Sequence, residues 1–139
     1  MRLSEDIKMS ALTIDKGFLV KNLKITNKED NDIIIIDTES ENYVDVVIPL
    51  EIANDFVVCL REMKQVKNAG AAYLEPFYKV YGEETTLYVV SKDSHSAASH
   101  ILAGNSEDKC DVKIHFNIVE SIIYAVEKLA DHLRLRTNN

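Results

Sequence analysis

The sequence predicts an α+β fold made of internally duplicated ββββα units, in which antiparallel sheets run into two helices packed together. Three observations carry this. First, residues 45–63 (DVVIPLEIANDFVVCLREM) return 66 positions later as residues 111–129 (DVKIHFNIVESIIYAVEKL). Asp45, Val46, Ile48 and Ile52 meet the identical Asp111, Val112, Ile114 and Ile118. Of the 19 pairs, 17 keep apolar against apolar or polar against polar, the exceptions being Val47/Lys113 and Pro49/His115. A chain near half apolar matches roughly half of such pairs by chance. Second, the match is in helical phase: Ile52, Phe56, Cys59, Leu60 and Met63 form an i, i+4, i+7, i+8, i+11 stripe, repeated by Ile118, Ile122, Ala125, Val126 and Leu129. Third, each stripe follows short alternating or β-branched segments separated by polar turns, which is strand composition.

At 139 residues the chain reads as one domain, 1–139, with pseudo-repeats at 9–68 and 71–136. A domain of this size buries about two thirds of its unfolded surface. The net charge of −7 excludes a uniformly basic nucleic-acid binder but leaves room for a local basic face. No apolar run approaches the roughly 20 residues of a membrane helix. Residues 1–9 (MRLSEDIKM) alternate charges with single apolar residues, unlike a secretory leader. The expectation is a cytoplasmic protein with no membrane partner. Cys59 lies on the first apolar stripe and Cys110 just before a strand, so they read as a core thiol and an incidental thiol in a reducing compartment.

Taken in order, residues 9–15 (MSALTID) form a short candidate first strand. Gly17 punctuates, and residues 18–26 (FLVKNLKIT) alternate as one strand. After the polar turn 27–32, Ile33, Ile34, Ile35 and Ile36 mark a strand covered on both faces. Residues 43–48 lead into the first helix, which Gly70 stops. The second half restarts with 73–80 (YLEPFYKV) laid over 18–25 and 87–90 (LYVV) over 33–36, at an offset of 54 or 55. Against the later offset of 66, this leaves 11 or 12 extra residues between Ser91 and Cys110, read as a longer loop or an added strand near 99–103. Pro76 belongs at an edge or bulge. Asn117 caps the last helix with Glu120 three residues on, and Arg134 and Arg136 suit its negative pole. One sheet and one helix leave an apolar face uncovered, so the two halves are expected to pack together about a pseudo-twofold axis.

Catalytic signatures are missing: the chain has no Gly-rich phosphate loop, nucleophile elbow, HExxH or CxxC. His95 and His100 have neither helical i, i+4 spacing nor an evident third ligand, and read as solvated loop histidines. His115 reads as a structural residue at the sheet edge. The acidic pairs Asp30/Asp32, Glu39/Glu41 and Glu83/Glu84 fall in predicted turns. The expectation is a non-enzyme with no cofactor and no metal. One surface pattern has chemical content. In the strand around 73–81, Tyr73, Glu75, Phe77, Lys79 and Tyr81 share a face; Tyr88 and Lys92 are expected on the corresponding face of the partner strand, and Phe18 and Lys24 share the matching face of the first half. Rings separated by cations on an open sheet make a platform for single-stranded nucleic acid, each stacked base contributing roughly 1–3 kcal/mol. Alternation alone leaves open whether that face is the platform or the core.

Two tandem ββββα units with a strand-to-helix exit, best displayed by VVIPLEIANDFVVCLREM and VKIHFNIVESIIYAVEKL, resemble the Whirly and Pur-repeat proteins. The resemblance covers most of the chain at the level of element order and repeat length. It implies a single-stranded nucleic-acid-binding protein, an accessory of replication, recombination or transcription, and a homo-oligomer. By position it implies Lys21, Lys24, Tyr73, Phe77, Lys79, Tyr81 and Lys92 as binding residues. Two other readings stay open: an acidic protein-interaction or inhibitor module acting through sheet edges or helix faces, and a small-molecule or hydrolytic domain built on residues 91–110.

Overall fold

The computed structural model describes residues 17–28, 32–40, 45–68, 77–81, 85–92, 100–105 and 110–137. Strands β1 (Phe18–Val20), β2 (Leu23–Lys28), β3 (Asp32–Asp37) and β4 (Asp45–Pro49) form an antiparallel sheet in that order, and β4 runs through a 3₁₀ turn, Leu50–Ile52, into helix α1 (Ala53–Asn68). Strands β5 (Phe77–Tyr81), β6 (Thr85–Lys92), β7 (His100–Asn105) and β8 (Cys110–His115) form a second sheet in the same order, and Phe116–Ile118 leads into helix α2 (Val119–Thr137). The α+β class is as expected, and both units have the order ββββα.

The strand assignments differ in one instructive place. Residues 18–26 are not one strand but a hairpin, in which Val20 pairs with Leu23 across the two-residue turn Lys21–Asn22. Such tight turns need a positive φ, and Lys21 adopts 54°. The cost of that conformation in a non-glycine residue is met by anchoring at Asn22. Its Nδ2 donates to Asp37 Oδ1 at 2.9 Å, and its carbonyl accepts from the Thr38 amide at 2.9 Å and from Thr38 Oγ1 at 2.8 Å. The first unit therefore has four strands without residues 9–15, which lie outside the described residues, as do Gly70, Pro76, Gly82 and His95.

This hairpin also shifts the correspondence between the halves. Pairing register sets Phe18, Ile25, Ile35 and Val46 in one row across the first sheet, and Phe77, Val89, Ala103 and Val112 in the matching row of the second. Residues 87–90 thus answer 23–26, not 33–36. The supposed extra segment after Ser91 holds β7, the counterpart of β3.

The repeated stripe is the centre of the core. Ile52, Phe56, Cys59, Leu60 and Met63 and their equivalents Ile118, Ile122, Ala125, Val126 and Leu129 are all buried. The helices run antiparallel: Lys64 Nζ lies 3.2 Å from Glu120 Oε1, Arg61 pairs with Glu127, and Arg134 donates to Asn54 Oδ1 at 3.5 Å. Arg61 and Glu127 are 66 positions apart, so equivalent residues face each other where the helices cross. That is the geometry of a local twofold. These ion pairs are half-exposed and contribute little; apolar burial holds the pair. Helix α2 lies across β1, β2 and β3, with Tyr124 edge-on to Phe18 at 6.3 Å, so the second unit's helix covers the first unit's sheet. The sheets meet along β4 and β8. There Asn105, 1% exposed at the end of β7, accepts from the Val47 amide at 2.8 Å and donates to the Val47 carbonyl at 3.1 Å.

Pro49 and His115 occupy the same place, extended residues (ψ 143° and 145°) that precede the 3₁₀ turns with no side-chain cap. Asn117 lies inside the second turn, so the expected capping box is replaced by a direct strand-to-turn entry, and Glu120 pairs with Lys64 instead. Burial, with Glu62 nearby, pushes the Cys59 thiol up to about 12, which makes it a packing residue and an unreactive thiol. No described helix is long and apolar enough to cross a membrane.

Gly17 is held by sterics. At φ 90°, a Cβ there would stand 2.5 Å from the Ile25 carbonyl oxygen and 2.8 Å from Thr26 Cβ, on the β2 backbone side of the hairpin. Gly17→Ala is expected to destabilise the protein by about 2 kcal/mol in urea unfolding. A change within about 0.5 kcal/mol would show that the chain before β1 moves aside at no cost.

Candidate nucleic-acid interface

Alternation along each strand sends one set of side chains to the core and the other outward. With α2 on the inner face of the first sheet and the two sheets meeting along β4 and β8, the outer faces are where side chains reach solvent. On the first sheet the outer register rows are Leu19–Lys24–Ile36–Asp45 and Thr26–Ile34–Val47. Lys24 is exposed, Leu19 is 48% exposed, and Ile34, Ile36 and Val47 are half-buried.

The second sheet presents different chemistry at matching positions. Its outer rows are Tyr88–Gly104–Asp111, Val90–Leu102–Lys113 and His100–His115. Tyr88, Val90, Leu102 and His100 are half-buried, while Lys113 and His115 are exposed. Gly104 beside Tyr88 leaves no side chain between that ring and β8. Local desolvation raises the Asp111 carboxyl above its ordinary value.

The residues singled out from the sequence are distributed as follows. Lys21 sits exposed in the β1–β2 turn and Lys24 exposed on the outer face of β2. Phe18, expected to share Lys24's face, is buried, because the turn at Lys21–Asn22 resets the alternation between them. Phe77 stands in register with buried Val89, and Lys79 with buried Leu87; Tyr81 pairs with Thr85. Tyr88, grouped with Phe77 by alternation, stands in the opposite register, across from Tyr78. Lys92 stands in register with His100, and Tyr73 lies outside the described residues. His100 is not a loop residue but the first of β7, paired across the ladder with His115.

Sequence reasoning passed over Lys113 and the pairing of His100 with His115, although a signal for both was present. The two pairs that break the 66-residue repeat, Val47/Lys113 and Pro49/His115, are both in the last strands, where the repeat is otherwise tightest. Val47 and Lys113 stand on the outer face of equivalent strands, whereas Pro49 is buried and His115 exposed. A shallow groove beside the helix pair, lined by Arg61, Glu120, Tyr124, Glu127 and Asp131, is occupied by the ion pairs described above. Among the described residues no three potential metal ligands cluster. No family model matches the chain, nor does any curated protein or solved structure.

Proposed function

We propose that the protein is a non-enzymatic single-stranded nucleic-acid-binding protein whose second sheet receives the strand on its outer face. The observation that carries this reading is the chemical divergence of two otherwise equivalent sheets. Where the first has Lys24, Ile36 and Val47, the second has Tyr88, Gly104 and Lys113. A half-buried ring with only a glycine across the ladder is a stacking site, Val90 and Leu102 extend its apolar surface, and Lys113 supplies a cation for phosphates. The two units then descend from one ancestral sheet-plus-helix unit, one copy specialised for the ligand. Lys24 and Lys21 extend the cationic contacts onto the first sheet. The acidic remainder of the molecule restricts binding to this face.

The test is fluorescence polarisation with a labelled oligothymidylate at two salt concentrations. Tyr88→Ala is expected to weaken binding about tenfold, the loss of one stacked base. Lys113→Ala is expected to reduce the slope of log K against log salt by about 0.7, one single-strand phosphate contact. No binding at low salt overturns the proposal. The aliphatic part of the first sheet's outer face, with Leu19 at 48% exposure and Ile34, Ile36 and Val47 half-buried around Lys24, favours a second reading in which that face seats a protein partner or another copy of the chain.

A further inference from the structure

His100 and His115 stand directly opposite each other on β7 and β8, with ring centroids 6.1 Å apart and planes at 68°. From this geometry we propose a transition-metal site: the two imidazoles hold one copper, nickel or zinc ion at the end of the second sheet.

The distance is the first argument. With metal–nitrogen bonds of about 2.0–2.1 Å, a coordinating ring's centre stands about 3.2 Å from the ion. Two rings on one ion are then about 4.5 Å apart at a right angle, about 5.2 Å at the tetrahedral angle and about 6.4 Å when opposed. The observed separation lies between the tetrahedral and opposed values, so tetrahedral binding draws the rings about 1 Å together, a movement that the broad terminal torsion of histidine permits. Access is the second argument. The His115 ring is exposed, and although His115 precedes the 3₁₀ turn it makes no capping hydrogen bond, so ligation costs no cap. Rigidity is the third: both residues are held by the β7–β8 ladder, which fixes their backbones before any ion arrives.

Ligand chemistry selects the class of ion. Imidazole suits copper, nickel and zinc, while magnesium and calcium take oxygen donors. Two protein ligands leave the remaining positions to water, so the ion is exchangeable and exposed. The matching pair in the first sheet is Asp32 and Pro49, which has no imidazole. The site therefore belongs to one unit only, and the molecule carries its own negative control.

The experiment is isothermal titration of the full chain at neutral pH with copper(II), nickel(II), zinc(II) and magnesium chlorides, with folding of each variant checked by circular dichroism. Saturable binding of one equivalent is expected, tightest for copper and absent for magnesium. His100→Asn and His115→Asn are each expected to weaken it at least tenfold, whereas His132→Asn, on α2, leaves it unchanged. Binding that survives undiminished in folded His100→Asn and His115→Asn proteins overturns the proposal, as does the absence of any binding to the unsubstituted chain up to millimolar ion. Nucleic acid takes no part in the measurement, so its outcome is independent of the function proposed above.

Discussion

Asn105→Leu is expected to destabilise the protein by about 2–5 kcal/mol, although the substitution keeps the γ-branched frame and adds apolar surface. The reason lies in the edge of the first sheet. Val47 pairs with Ile34 on one side of β4, and its amide and carbonyl point away from that neighbour, toward the second sheet. The Asn105 amide meets both groups at 2.8 and 3.1 Å, as one further peptide of a ladder would. With Asn105 1% exposed, water has no ready access to replace it. Leucine at 105 leaves a donor and an acceptor unsatisfied, each costing about 1–3 kcal/mol. Asn105→Asp is expected to do no better, because its carboxylate accepts from the Val47 amide but repels the Val47 carbonyl while burying a charge. Urea unfolding gives the measurement: the midpoint falls in both variants with the slope unchanged. A loss below about 0.5 kcal/mol for leucine would show that the clip contributes nothing net.

Asn105 also shows where the sequence stops being readable. It precedes Ser106, Glu107 and Asp108, and any local reading assigns it to a polar turn. Its partner is 58 positions away on another sheet, a distance that no periodicity reports. Its register counterpart, Asp37, is spent locally, accepting from Asn22 Nδ2 and from the Glu39 amide at 3.0 Å, so the repeat offers no hint either. The stripes from Ile52 to Met63 and from Ile118 to Leu129 were legible because helical period and burial reinforce one another over several turns. The Lys21–Asn22 turn was not, because neither residue is a glycine and the alternation of residues 18–26 runs through it without a break. That single concealed hairpin displaced the strand correspondence and put Phe18 with Lys24. The outer face was half-legible: its residue types were noticed, but their grouping depended on register, which pairing across strands decides.

The other large effect expected is in the shared core. Phe56→Ala should cost about 3–5 kcal/mol and Ile122→Ala about 2–5 kcal/mol, since both side chains are fully buried at equivalent positions of the two stripes. The size matters less than the form of the transition. Domains of this kind have only about 5–15 kcal/mol in total, so either substitution removes a large share. If each unit closed its own core, Phe56→Ala would melt the first and leave the second folded, and calorimetry would resolve two transitions. The structure excludes that division of labour: α2 lies on β1, β2 and β3, and the helices cross where Arg61 meets its own equivalent, Glu127. Phe56 belongs to one continuous buried cluster drawn from both units, so removing it is expected to weaken both at once. A single transition, displaced downward in each variant and with calorimetric and van't Hoff enthalpies in agreement, is the expected result. Two resolved transitions in either variant would mean that the halves hold their cores separately. Such independence would require the first sheet to bury Ile25 and Ile35 without the other unit's helix, which is the element placed above them.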